Sequence, residues 1–227
     1  MTLWSGYLQL ERNQAVSIPA IAAYPMPSTE LKNQVNWTAQ TKRAVLLIHD
    51  MQHYFLQKYD VSAEPIPTLV KHIGKLREQC HALGIPVVYT AQPAVQPPQD
   101  RALLTDFWGP GLSDPGNAAQ EAIIEELAPA PQDLVLTKWR YSAFYRSDLK
   151  KIMQDQGRDQ LIICGIYSHI GCMTTALDAF MNDIQPFFVS DATADFSAKE
   201  HIMAIKYVSQ LCGVAVSSNQ LQHWLSA

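Results

Sequence analysis

One stretch constrains this chain more than any other: the unbroken apolar run Ala44-Val-Leu-Leu-Ile48, which stops abruptly on His49 and Asp50. A strand buried on both faces of a parallel sheet reads this way, because neither face can be polar. Comparable short runs return at residues 85–90, 133–137, 161–165, 186–190 and 213–216. Between them the apolar spacing turns helical. Residues 67–83 carry Leu69, Val70, Ile73, Leu76 and Cys80 on one face, with Gly84 as the C-terminal cap. Short helices are expected over 118–127 and 147–156, and another opens within 166–175 with Met173, Ala176, Leu177 and Phe180 on one face. Ser197 and Glu200 have capping-box spacing and should begin a last long helix to about Leu211. Strands alternating with helices imply an α/β fold with a parallel sheet covered on both sides.

Length suits one domain over residues 41–227, preceded by an arm. Residues 1–40 are irregular, and Pro19, Pro25 and Pro27 favour an extended path lying on the domain. The first 16 residues show no partner pattern and should be loosely held. Net charge is −4 with no basic tract, so nucleic acid is not an expected partner. No apolar run approaches the roughly 20 residues needed to cross a bilayer. Glu11, Arg12 and Asn13 stand where a signal peptide would need its apolar segment, so a cytoplasmic location is expected. Cys80, Cys164, Cys172 and Cys212 lack paired spacing and read as reduced, buried thiols. No metal-ligand cluster, Walker loop or G-x-G-x-x-G is present, and neither metal nor organic cofactor is signalled.

Ligands of open α/β sheets sit outside the carboxyl ends of the strands. Each of those ends carries something polar: Asp50, Gln92, Lys138 and the turn at 165–171. Right-handed crossovers put all of them on one rim. Asp50 there is either a candidate acid or base or simply a helix cap. The proline- and glycine-rich loop from Pro93 to Gly116 holds Arg101, Phe107 and Trp108 above the rim, and loops this long in compact domains are usually functional. Tyr54 and Phe55 follow Asp50 as candidate walls, although Phe55 would serve equally in the core. One acid, two cations, an amide and several aromatics describe a pocket for a small anionic ring compound.

His49-Asp-Met-Gln52, Thr90-Ala-Gln-Pro93, Asp106-Phe-Trp-Gly-Pro-Gly111, Lys138-Trp-Arg-Tyr-Ser-Ala-Phe144, Gly165-Ile-Tyr-Ser-His-Ile-Gly171, Asp178-Ala-Phe and Asp191-Ala-Thr-Ala-Asp-Phe196 closely resemble the isochorismatases. The resemblance runs from about Ile18 to the last strand. It implies a three-layer α/β/α domain with a six-stranded parallel sheet in the order 3-2-1-4-5-6. It also implies hydrolysis of the enolpyruvyl ether of isochorismate to pyruvate and 2,3-dihydro-2,3-dihydroxybenzoate, on the way to catechol siderophores. By the same resemblance Asp50 is the catalytic acid and Lys138 its partner. Gln92, Arg101, Tyr167 and Gly171 hold the substrate, and a cis peptide falls at Ile166–Tyr167. Homodimers are common in the family. The nearest alternative substrate is 2-amino-2-deoxyisochorismate, used by phenazine-pathway relatives; a non-catalytic binding or scaffold role is a further one. The chain should carry no aryl carrier domain.

The wider superfamily includes amidohydrolases with an Asp/Lys/Cys triad, whose nucleophile aligns with Gly171. Cys172 is one residue later, turned about 100° around a helix, and is expected to face the core. Lacking that nucleophile, acyl-enzyme chemistry is not expected. His169 should be hydrogen-bonded locally at a helix start, and His49 should point away from Asp50 if the strand continues. Asp178, Asp191 and Asp195 read as turn or helix-terminus residues. Trp139 and Phe144 are either pocket wall or interface.

Overall fold

The computed structural model describes residues 17–28 and 32–226; the expectation for the first 16 residues lies outside them. In chain order the elements are β1 (Ala44–His49), α1 (His53–Leu56), α2 (Ile66–Ala82), β2 (Val87–Ala91), α3 (Pro98–Arg101), α4 (Leu104–Trp108), β3 (Leu134–Thr137), α5 (Leu149–Asp155), β4 (Gln160–Ile166), α6 (Met173–Met181), β5 (Gln185–Ala194), α7 (Ala198–Leu211), β6 (Val214–Val216) and α8 (Ser218–Ser226). The strands form one six-stranded sheet in the order β3-β2-β1-β4-β5-β6, with every pairing parallel.

Two cores flank this sheet, as alternating side chains of a doubly covered strand require. Ala44, Leu46 and Ile48 of β1 face the core that α2 and α8 complete. Val45 and Leu47 face the opposite core, closed by α5, α6 and α7. The described part of the arm lies against the first of these. Ile18, Ile21 and Ala39 are buried, and Ile21 and Tyr24 donate their N–H groups to the carbonyls of Lys58 and Glu64 at 2.7 and 3.0 Å. The Tyr24 hydroxyl accepts from the Asp195 N–H at 2.7 Å and meets His201 Nδ1 at 3.3 Å, tying the arm to β5 and α7.

Three segments depart from the sequence reading. Residues 118–127 are not a helix: 3-10 turns span Pro115–Gln120 and Glu125–Leu127. The backbone between them bonds to the chain after β1, with His53 N–H donating to Ala122 O and Ile124 N–H to Met51 O, both at 3.0 Å. Those long-range bonds replace the i to i−4 ladder a helix would need. Strand β5 runs four residues beyond Ser190, to Ala194. Helix α8 was hidden by its polar start, Ser217-Ser-Asn-Gln. It is begun by Asp191, whose carboxylate accepts from the N–H and hydroxyl of Ser218 at 2.6 and 2.9 Å. Leu221 and Leu225 then bury its apolar side.

Candidate active site

Strand β1 pairs with β2 on one side and β4 on the other, so its end is the point where the strand order reverses. Ligands of doubly wound sheets bind at such a point. His49 stands in register with Thr90 and Gly165. The next residue, Asp50, has φ +51°, a left-handed conformation that Asp tolerates better than most residues. The chain therefore leaves the strand there, and the expected alternation fails: His49 Nδ1 lies 3.3 Å from Asp50 Oδ2 instead of pointing away.

Asp50 is 6% exposed and each of its carboxylate oxygens has a donor. Lys138, one residue past β3 and itself buried, donates from Nζ to Oδ2 at 3.0 Å. The Thr90 hydroxyl donates to Oδ1 at 2.6 Å. Burial alone would push the Asp50 carboxyl up, but the Lys138 ammonium, His49 and Thr90 outweigh it and hold the group well below the usual carboxylate range. Burial and the nearby Lys138 charge lower the pKa of His49, so its imidazole is neutral at neutral pH.

These groups open onto a cleft of roughly 540 Å³ of free space, counting its mouth. Asp50, Lys138, Gly171, Gln92, Arg101 and Tyr167 all line it, as do Tyr54, Phe55 and Trp108. Gln92 is presented by its neighbours: the Gln52 amide accepts from the Gln92 N–H at 2.8 Å and donates to the Gln92 carbonyl at 2.8 Å. Tyr167 donates its hydroxyl to the Phe55 carbonyl at 3.0 Å and packs edge-on against Phe196. The Ile166–Tyr167 peptide is cis. Arg101, at the end of α3, is 5% exposed; its Nε donates to the Gly109 carbonyl at 2.6 Å, while its Nη1 has no hydrogen-bond partner. A Cβ on Gly111, where φ is +59°, would collide with this guanidinium, so glycine lets the chain fold closely round it.

Other residues go unanticipated. Ile18 of the arm, Leu104, Tyr141, Ile170 and Phe196 also line the cleft. Tyr141 is fixed there by the Trp108 indole, which donates to its hydroxyl at 3.0 Å. Trp139 lies outside the cleft lining, with the Arg146 guanidinium over its ring. Phe144 packs against the α5–α7 core. Cys172 is fully buried in that core and burial raises its thiol pKa well above the ordinary value, so it is no thiolate at neutral pH. His169 bonds across the fold to Asp195 at 2.5 Å, not locally. Asp178 stands in the last turn of α6, where it accepts from the Ser142 hydroxyl and from the side-chain amide of Asn182 at 3.0 Å. Among the described residues no group of three or more His, Cys, Asp or Glu could hold a metal ion, and no helix is long and apolar enough to cross a membrane.

The Isochorismatase domain family matches residues 44–220. The chain belongs to the isochorismatase family. It is 55% identical over 208 residues to the isochorismatase of Bacillus subtilis, covering 91% of this chain and 66% of that protein. The same share of this chain is 48% identical to enterobactin synthase component B of Escherichia coli K12, over 72% of its length. Phenazine biosynthesis protein PhzD1 of Pseudomonas aeruginosa is 46% identical over 206 residues, 90% of this chain and 98% of that one. The chain thus spans about two thirds of the Bacillus isochorismatase it matches.

Proposed function

We propose that this isochorismatase-family chain is an ether hydrolase. It would cleave isochorismate to pyruvate and 2,3-dihydro-2,3-dihydroxybenzoate, in 2,3-dihydroxybenzoate siderophore biosynthesis. The observation that carries this reading is a buried carboxylate, Asp50, paired with Lys138 and sharing one aromatic-walled cleft with a buried arginine whose Nη1 is unpartnered. A binding protein would gain nothing from desolvating Asp50; a general acid needs it. Identity of 55% to the Bacillus isochorismatase supports the substrate over the phenazine-pathway analogue, for which the corresponding figure is 46%.

Asp50 is the acid. Its proton goes to the methylene carbon of the enol ether, the C=C electron pair forms the new C–H bond, and an oxocarbenium ion results. Water adds to the adjacent carbon, the one that bears the ether oxygen and now carries the positive charge, and returns a proton to the Asp50 carboxylate. The hemiketal then collapses to the pyruvate carbonyl and the ring hydroxyl. In the free protein Asp50 is ionised, so it must gain its proton on binding. A substrate carboxylate drawing the Lys138 ammonium toward itself would weaken the very interaction that keeps Asp50 charged. Arg101 is the second anion partner, Gln92 and Tyr167 orient the ring, and Gly171 presents bare backbone to it. Tyr54, Phe55 and Trp108 form the walls. The chain works without a metal or organic cofactor, as a homodimer in the cytoplasm.

The test is pyruvate release from isochorismate, coupled to NADH oxidation, for the wild type and Asp50→Ala with EDTA present. Turnover insensitive to EDTA and lost in the variant is the expected result. A wild type that releases pyruvate only from the 2-amino analogue would move the substrate assignment, and release from neither would overturn the enzymatic reading.

A further inference from the structure

The assignments above leave the His49 imidazole without a role, although it touches both Asp50 and Gly171. Its tautomer is fixed from two directions. Nδ1 lies 3.2 Å from the Ile166 carbonyl, which can only accept, so Nδ1 carries the proton. Nε2 lies 3.2 Å from the Thr175 hydroxyl, and that oxygen already accepts from the Ala143 N–H at 2.9 Å, leaving its own proton for Nε2. The chain of donors therefore runs from Ala143 through Thr175 to His49 and ends on an N–H shared between Ile166 O and Asp50 Oδ2. The ring is also locked sterically. A Cβ on Gly171 would collide with Cε1 of the imidazole, 2.9 Å from Nδ1 and 3.1 Å from Nε2. Real Cβ atoms do not approach so closely, and a fully buried ring has nowhere to retreat.

We propose that His49 is a positioning residue for Asp50. Held in one tautomer by Thr175, its imidazole gives the carboxylate a stationary N–H beside the mobile Lys138 ammonium, and its seat requires glycine at 171. The role in turnover rests on the ether-hydrolase reading; the interlock of His49 with Gly171 does not. While Lys138 turns toward a substrate carboxylate, the His49 N–H and the Thr90 hydroxyl keep the acid aimed. The same ring fills the space into which any side chain at 171 would project, so the cleft floor at that point is bare backbone.

Nitrogen-15 NMR of the free protein should show His49 neutral at pH 7, with Nδ1 protonated and Nε2 bare, and the Nδ1 proton should shift in Asp50→Ala. Gly171→Ala and His49→Ala should each lower Tm, and the double variant should melt well above the sum of the two losses, because the methyl enters the vacated space. His49→Ala should cut kcat by about a hundredfold with KM little changed, and the pH at which kcat declines should move upward. His49→Asn places an amide N–H near the Nδ1 position and should recover about tenfold of that loss. An Nε2–H tautomer, additive Tm losses, or Asn no better than Ala would each overturn the proposal. If the wild type releases no pyruvate, the ether-hydrolase reading falls, and the NMR shift and Tm coupling alone decide whether His49 positions Asp50.

Discussion

The two charged corners of the cleft are built differently. Asp50 and Lys138 stand immediately beyond β1 and β3, set by the sheet register, and both carboxylate oxygens already have donors within the protein. Arg101 stands on a four-residue helix in the β2–β3 connection, equally buried, yet with Nη1 unpartnered. A buried polar atom without a partner costs on the order of 1–3 kcal/mol, more when charged. The acid corner is satisfied within the protein; on the proposed reading an anion completes the arginine corner. On the proposed reading, strand ends hold the reacting group and the loop holds the group that meets the anion.

Breaking the acid corner should have the largest effect. Lys138→Ala removes one partner of a buried pair, and kcat should fall by about 10²-fold or more. The pH profile is the sharper readout. In the wild type the Asp50 carboxyl sits well below the usual range, so its protonated fraction, and with it kcat/KM, should fall about tenfold per pH unit through neutrality. Without Lys138, burial dominates and raises the carboxyl's pKa, so kcat/KM should gain a plateau reaching to higher pH. A profile unchanged in Lys138→Ala would contradict the pairing argument.

Arg101→Ala should behave in the opposite way toward stability. Binding should weaken by about ten- to a hundredfold, appearing mainly in KM, because a hydrogen bond to a charged group contributes about 1.5–3 kcal/mol. The free protein should lose little Tm, since the cost of burying a cation with Nη1 unpartnered leaves with the side chain and offsets the lost Gly109 bond. A large drop in Tm with unchanged KM would mean that the Arg101–Gly109 contact is structural and that the two corners do not differ as described.

What could be read from the chain divides along the same line. Ala44–Ile48 and the other apolar runs located all six strands, and the polar residues behind them located the rim, because period and abrupt polarity change are local signals. Helix α8 and the 115–127 region were misread because their structure is decided at long range, by Asp191 and by the backbone of residues 51–53. His49 was placed on the wrong side because nothing local announces that Asp50 adopts a positive φ. Tyr141 lay inside a recognised motif, and its indole partner Trp108, 33 residues earlier, is visible only once the loop is folded. The motifs named residues that line the cleft; the meeting of Asp50 with Thr90 follows from the register of β1 with β2.

His201 sharpens the comparison from outside the cleft. Like the Asp50 corner it is buried and satisfied: Nε2 lies 3.0 Å from the Ser190 carbonyl and 2.9 Å from the Thr193 hydroxyl, and Nδ1 meets the Tyr24 hydroxyl at 3.3 Å. Unlike that corner it serves no cavity, so its consequences should be for stability alone. Burial is the main cause that lowers its pKa from 6.5 to about 4. Between those values the unfolded chain takes up a proton that the folded one refuses, so stability is full above pH 6.5 and declines as pH falls toward 4. Buried His49, lowered in the same direction, adds to that decline. The urea midpoint should therefore drop steadily across this window, and His201→Asn, though less stable throughout, should show a flatter drop that retains the His49 share. Turnover at pH 7 by the folded His201→Asn protein should match the wild type within about twofold, since no group of the cleft depends on that ring's charge. A slope as steep as the wild type's would mean that His201 is already protonated in the folded state, and that saturation by hydrogen bonds does not keep a buried histidine neutral here.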